Sequence, residues 1–420
     1  MQRDLSDMGF STVAVHGGVN LDPVTGAIGP HLATSTNFAA EYGSIGFSAE
    51  ATVEEQVPFA YAREGHPNAA QLERKLALLD DAEAAVVFAT GISAISGLML
   101  QTLSPGDHLL VSDVSYAGTA EFTRGLLRSL GIEVSVADLS DLDDVRTALR
   151  PNTRLIHAET PCNPVLKLVD IRALADVAHQ HGAELCVDGT FATPAVTRPL
   201  SLGADYVVYS LTKYMGGHGD ALGGAVLGRA EPIDRLRREV GVHLGGTLSA
   251  FNCWLILRGL ETLPIRMAAY ARGAARVAQF LQDHPAVLSV RYPGLPSHPQ
   301  HSLAQRQMIT PSGMIAFTVT DHERFGRGLK DQLKVFYYAA SLGLSRSLIL
   351  EARTDDLQRT TFKLDEEHLR RYREWAGDGF FRLSIGLEDS EDLCSDLERA
   401  LSVLPDPGNQ RAQSDRSATM

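Results

Sequence analysis

Lys213 stands just beyond a short apolar run, Tyr206-Val207-Val208-Tyr209. A long, strongly hydrated ammonium is rarely set beside a core without a task. Ser210 and Thr212 flank it with hydroxyls at alternate positions, so in an extended chain both point to one side. Asp188 ends another apolar run, Glu184-Leu185-Cys186-Val187, 25 positions upstream (213 minus 188). A carboxylate there is costly unless it is partnered, by a protonated ring nitrogen, a buried arginine or a helix N-terminus. An amine and a carboxylate in this order can hold the two ends of a pyridoxal ring. The amine takes the aldehyde carbon and the carboxylate faces the ring nitrogen.

Further candidates follow other apolar runs. Ala89-Thr90-Gly91-Ile92-Ser93 comes after the run 84–88 and opens a helical pattern. The free N–H groups at such a helix start suit a phosphate, although the signal alone is weak. Together with the hydroxyls of Ser210 and Thr212 they would form a phosphate cup. Tyr116, beyond the run 108–113, either stacks on a flat ring or belongs to the core. Glu159-Thr160-Pro161-Cys162-Asn163-Pro164, beyond 153–158, is a rigid turn that contains a cysteine of open role.

These residues need a scaffold that collects strand ends. Helical stripes and short apolar runs alternate from about residue 67 to 209, which predicts an α/β domain with a mostly parallel sheet covered on both faces. Ligands then sit beyond the C-terminal ends of the strands. We expect residues 1–60 to form an N-terminal arm, 61–255 the α/β domain, 256–404 a smaller C-terminal α+β domain with a long helix over 265–283, and 405–420 a disordered polar tail.

The 420-residue chain carries a formal net charge of −13, which argues against general nucleic-acid or anionic-membrane binding. Its four cysteines form no CxxC pair and are too sparse for a disulfide framework. No apolar run approaches the ~18 residues of a membrane span. No secretory leader pattern opens the chain. The expected compartment is the cytoplasm.

At these residues the chain resembles the pyridoxal 5′-phosphate (PLP) enzymes of the cystathionine γ-synthase, cystathionine γ-lyase and methionine γ-lyase family. The likeness spans about residues 10–403. It is carried by Tyr61-Ala62-Arg63, Glu159-Thr160-Pro161-Cys162-Asn163-Pro164, Val187-Asp188, Tyr209-Ser210-Leu211-Thr212-Lys213-Tyr214, Ser341-Leu342-Gly343 and Arg382-Leu383-Ser384-Ile385-Gly386. The resemblance implies the aspartate aminotransferase-like fold of PLP-dependent transferases. It makes Lys213 the Schiff-base and proton-transfer residue, Asp188 the partner of the ring nitrogen, and Tyr116 the stacking ring. Gly91, Ile92, Ser210 and Thr212 hold the phosphate, with Tyr61 and Arg63 given across to a neighbouring subunit of a homotetramer. Arg382 binds the substrate α-carboxylate, with Ser341 and Asn163 beside it. The implied reaction is γ-elimination or γ-replacement on a γ-substituted L-amino acid.

The chain departs from the family pattern at several points. Gly189 stands for a usual Asn, Gly219 for Ser, Ile92 for Met, and Arg346 for a Glu that follows Ser341-Leu342-Gly343. Glu351-Ala352-Arg353-Thr354-Asp355-Asp356 replaces a His-Pro-Ala stretch. A cation at Arg346 near the pocket mouth would repel the distal ammonium of cystathionine. The expectation is therefore an uncommon substrate with a thioether, oxygen or halide leaving group. Ordinary cystathionine or methionine γ-lyase activity, or a sulfur transferase acting on O-acylhomoserine, is the alternative. A family member that binds PLP without catalysis would be expected to have lost some of these residues.

Overall fold

Runs rich in Val, Ile and Leu bury side chains on both faces when extended, so each needs paired neighbours and helical covers. In the computed structural model they form a seven-stranded sheet. Residues 5, 7–19, 21–22, 24–45, 59–360 and 363–405 are described. The strands are β1 (Ala84–Phe88), β2 (His108–Ser112), β3 (Glu133–Ala137), β4 (Thr153–Glu159), β5 (Glu184–Asp188), β6 (Tyr206–Tyr209) and β7 (Gly224–Gly228), in the order β1-β7-β6-β5-β4-β2-β3. All neighbours are parallel except β7, which runs antiparallel to both β1 and β6. β7 was not among the expected strands. Its sequence, Gly-Ala-Val-Leu-Gly, has glycine at both ends, and glycine reads as a turn signal.

Val86, Leu109, Leu155, Cys186 and Val208 pack on one face against Ile95 and Leu98 of a helix that follows β1. Leu110, Ile156, Leu185 and Val187 pack on the other against Ile171 and Leu174. A second sheet has the order β10-β11-β12-β9-β8, with β8 (Val287–Arg291), β9 (Met314–Val319), β10 (Tyr337–Tyr338), β11 (Leu348–Arg353) and β12 (Gly379–Ser384). Helix Leu263–Asp283 buries Ala274, Val277 and Leu281 against Phe317 and Phe381 of this sheet. One core cluster crosses between the sheets, joining Leu211 and Tyr214 to Met314, Leu342 and Phe380. That packing is what brings the loop before β11 to the end of β6.

Of the expected arm, residues 46–58 and a few positions before them lie outside the described residues. Helix α1 (Phe10–His16) lies against α2 (Pro67–Leu79), where buried Lys75 donates to the carbonyl of Ala14 at 2.8 Å. Of the expected tail, residues 406–420 lie outside the described residues. Among the described residues no helix is long and apolar enough to cross a membrane.

The β6 end is braced from behind. Asp80, buried after α2, accepts the Tyr209 hydroxyl at 2.6 Å, and burial pushes its carboxyl up to about 7. An acid raised on folding favours the folded state at low pH and loses that contribution as pH rises through its folded value. Wild-type stability therefore falls, through this group, between about pH 4 and pH 7. Asp80→Asn removes that fall. Compared at pH 5 and pH 8 by urea unfolding, the variant should gain on wild type by about 2–4 kcal/mol at the higher pH. An equal difference at both pH values would refute the ionisation of Asp80.

Candidate active site

The end of the parallel strands gathers two carboxyl groups. β4 and β5 pair in register, so their last residues, Glu159 and Asp188, stand side by side, and both are buried. Asp188 accepts the N–H of Thr190 at 2.9 Å. Burial raises its pKa, and the Thr190 hydrogen bonds only partly oppose this. Glu159 is pushed well above the usual carboxylate range, first by burial and then by the charge of Asp188. Two neighbouring acids resist double ionisation unless a cation arrives. A protonated ring nitrogen at Asp188 is such a cation.

The loop after β6 is tied to β5, because the Thr190 hydroxyl accepts the N–H of Ser210 at 2.9 Å. Gly189 has a physical reason: a Cβ there would come 2.7 Å from Cε1 of Tyr209. The Tyr209 ring thus occupies the space beside Asp188 where a side chain at 189 would stand.

Lys213 donates its Nζ to Ser341 Oγ at 2.7 Å. Gly343 explains the approach of two residues 128 positions apart. Its φ is +76°, and a Cβ would lie 2.5 Å from the Tyr214 nitrogen, so only glycine lets this loop press on the lysine backbone. Ser341 itself adopts φ +90°, a strained setting for a residue with a side chain. Burial, and then the positive charge of Arg382, lower the Lys213 pKa. Both favour the free amine, the form that attacks a carbonyl carbon.

Arg382 lies on β12, only 7% exposed. Its Nη2 donates to the Ser341 carbonyl at 2.9 Å and its Nη1 to Asn163 Oδ1 at 2.5 Å, while Nε has no partner among the described residues. Among the described residues no carboxylate is hydrogen-bonded to it, and burial lowers its pKa to about 10. A buried guanidinium held only by neutral acceptors is an uncompensated charge, suited to receive a planar carboxylate.

Tyr116 donates its backbone N–H to Glu159 Oε2 at 2.7 Å, and its ring is nearly half exposed. The loop before it is anchored by Lys167, whose Nζ meets Asp138 at 2.8 Å and Asp113 at 3.2 Å, all well shielded from solvent.

For a phosphate, helix α3 (Gly91–Thr102) begins at the end of β1, and its Gly91 and Ile92 N–H groups have no acceptor among the described residues. Ser210 packs against Gly91 so closely that a Cβ there would lie 2.9 Å from Ser210 Oγ. Thr212 is differently placed. Its hydroxyl donates to the Gly223 carbonyl at 3.2 Å and accepts the Gly223 N–H at 3.0 Å. The paired acids, the amine and these orphan N–H groups fit PLP: Lys213 for the aldehyde, Asp188 for the ring nitrogen, Gly91, Ile92 and Ser210 for the phosphate.

Three expected site residues stand apart from this cluster. Tyr61 is 44% exposed. Arg63 lies 5.5 Å from the Tyr61 ring centre and donates to the Val242 carbonyl at 3.0 Å. Neither is hydrogen-bonded to the Lys213 cluster of the same chain. Arg346 is exposed and forms no ion pair with the described residues. Cys162 is buried, and burial pushes its thiol far above the usual range, which leaves it un-ionised.

Sequence reasoning missed two contributors. Glu159 appeared there only as part of a turn motif, although a carboxylate closing an apolar strand was the same signal that singled out Asp188. Phe191, whose ring lies 5.9 Å from the Arg382 guanidinium, carries no polar signal.

Comparison with known proteins agrees with the geometry. The model of the Cys/Met metabolism PLP-dependent enzymes matches residues 11–402. The chain is 41% identical to a canavanine γ-lyase of Pseudomonas canavaninivorans, over 95% of this chain and 98% of that one. It is 40% identical to an L-methionine γ-lyase of Porphyromonas gingivalis, over 96% and 99%. A solved cystathionine γ-synthase of Xanthomonas oryzae, in complex with aminoacrylate and cysteine, superposes with a TM-score of 0.85 at 35% identity, covering 94% and 98%. On this match and this site, the chain belongs to the Cys/Met metabolism family of PLP-dependent enzymes, lyases and transferases that act at carbon–heteroatom bonds of amino acids.

Proposed function

We propose that this enzyme eliminates the γ-substituent of an L-amino acid whose leaving group lacks a fixed distal ammonium. The observation that carries the proposal is the meeting of Lys213 and Arg382 on one residue, Ser341, the first at its hydroxyl and the second at its carbonyl. A carboxylate held by Arg382 places the α-carbon within reach of the lysine.

Bound PLP supplies an electron sink for charge that develops at the α- and β-carbons. Arg382, with Asn163 and Ser341, holds the carboxylate. Lys213 removes the α-proton and carries it onward, its lowered pKa suiting both duties. Asp188 keeps the ring nitrogen protonated, and Gly91, Ile92 and Ser210 seat the phosphate, while the Thr212 hydroxyl is held by the Gly223 backbone. Tyr116 caps the ring and aids the departing group. The exposure of Tyr61 and Arg63 supports their crossing to a neighbouring subunit, in a homotetramer built from active dimers. We place the enzyme in the cytoplasm, without a nucleic-acid or membrane partner.

The relatives act at different leaving groups, and Arg346 favours one kind. It stands exposed in the loop that begins at Ser341, and in this reading its charge bears on what approaches the site. Cystathionine brings a distal ammonium and is disfavoured. Canavanine ends in an oxygen-linked guanidine, a weaker base than a simple guanidine, and is the leading candidate. The test is a screen of PLP-loaded protein with canavanine, methionine, O-acetylhomoserine and cystathionine, with mass spectrometry of every product. We expect kcat/KM for canavanine at least about tenfold above that for cystathionine. Cystathionine as the best substrate would overturn the proposal. Arg346→Glu should raise kcat/KM for cystathionine about 3- to 10-fold at low ionic strength, with the gain shrinking in salt.

A further inference from the structure

Glu159 has no assigned role, yet both of its oxygens are engaged at the site. Oε2 accepts the Tyr116 N–H at 2.7 Å and Oε1 accepts the Asn163 N–H at 2.6 Å. Asn163 in turn receives Arg382 Nη1, Arg382 reaches the Ser341 carbonyl, and Lys213 reaches the Ser341 hydroxyl. An unbroken line of hydrogen bonds therefore runs from the backbone of the stacking tyrosine to the lysine amine, with Glu159 joining its two halves. The turns that carry Tyr116 and Asn163 leave different strands, β2 and β4; among the described residues Glu159 ties them together at the site, and the Lys167–Asp113 pair, at 3.2 Å, ties them separately.

We propose that Glu159 is a positioning residue that sets the spacing between the Tyr116 ring and the Arg382–Asn163 carboxylate clamp. Its requirement is specific. Once a cation at Asp188 lets the acid pair ionise, each oxygen of Glu159 accepts from a backbone N–H, so the side chain must be an acceptor at both ends. Glutamine, of nearly the same shape, can accept at one end only and would turn an NH2 toward the other N–H. It is buried too deeply for solvent to repair the mismatch. The consequence for function rests on the reading of Arg382 as the carboxylate clamp, but the geometric claim does not.

The test uses Glu159→Gln in two ways. In PLP-loaded protein, hydrogen exchange with mass spectrometry should show peptides covering Tyr116 and Asn163 exchanging at least about tenfold faster than in wild type. Peptides from β5 and β6 should be unchanged. In the PLP-loaded enzyme, KM should rise about 10- to 100-fold for the best amino-acid substrate, with a smaller fall in kcat. Asn163→Ala should raise KM by itself, and the double variant should show much less than the product of the two effects. Unchanged exchange at both peptides overturns the proposal. So do KM effects that simply multiply, which would mean that Glu159 acts apart from the clamp. Faster exchange with normal KM in the single variants would instead overturn Arg382 as the clamp and leave the positioning of the two turns standing.

Discussion

Lys213→Ala protein mixed with PLP should stay without the visible band of a Schiff base, and its turnover should fall by at least about 10⁴-fold. The reason lies in what surrounds the amine. Burial and the nearby Arg382 charge lower its pKa, while Ser341 fixes its direction. No other lysine is hydrogen-bonded within this cluster among the described residues. Lys167 is committed to Asp113 and Asp138, and Lys75 to carbonyls of α1. Borohydride treatment followed by peptide mapping should fix the coenzyme at position 213 in wild type and nowhere in the variant. A band that survives Lys213→Ala, or coenzyme trapped on another lysine, would defeat the assignment.

Arg382→Ala should lower kcat/KM by roughly 30- to 5,000-fold, mostly through KM, which matches the about 2–5 kcal/mol lost when one partner of a buried charge pair is removed. The partner here is the substrate carboxylate. The same change should move Lys213, because the Arg382 charge is one of the two causes that lower its pKa. Without it the amine pKa rises, so capture of the coenzyme, followed by absorbance against pH, should shift to higher pH. Arg382→Lys should not restore KM. One ammonium cannot hold Asn163 Oδ1, the Ser341 carbonyl and a carboxylate in one plane. An unchanged KM in the alanine variant, with a normal Lys213 profile, would remove Arg382 from the site.

Several features of the site were legible as local chemistry. Lys213 and Asp188 announced themselves because charged groups beside apolar strands need a partner, and their order along the chain matched the two ends of one ring. The helix start at Gly91 follows from an open turn after a strand. Strand existence was mostly readable from apolar runs, but β7 and β11 were not; the flanking glycines of β7 look like punctuation. Alternation placed the hydroxyls of Ser210 and Thr212 on one side, yet the Gly223 backbone takes both the donor and an acceptor position of Thr212. A period-2 pattern says where a side chain points and nothing about which distant backbone group competes for it.

By itself the sequence determined the candidate amine and acids, the succession of strands that ends in them, and the coenzyme they suit. Those properties depend on neighbours a few positions apart. Only the tertiary structure decided that Ser341 would meet Lys213 across 128 positions and that Arg382 would meet Asn163 across 219. It also decided that Glu159 would hold two turns at once and that Arg346 would face solvent. Those contacts arise where the second sheet packs on the first through a shared core. Their distances come from packing between elements, which no local pattern encodes.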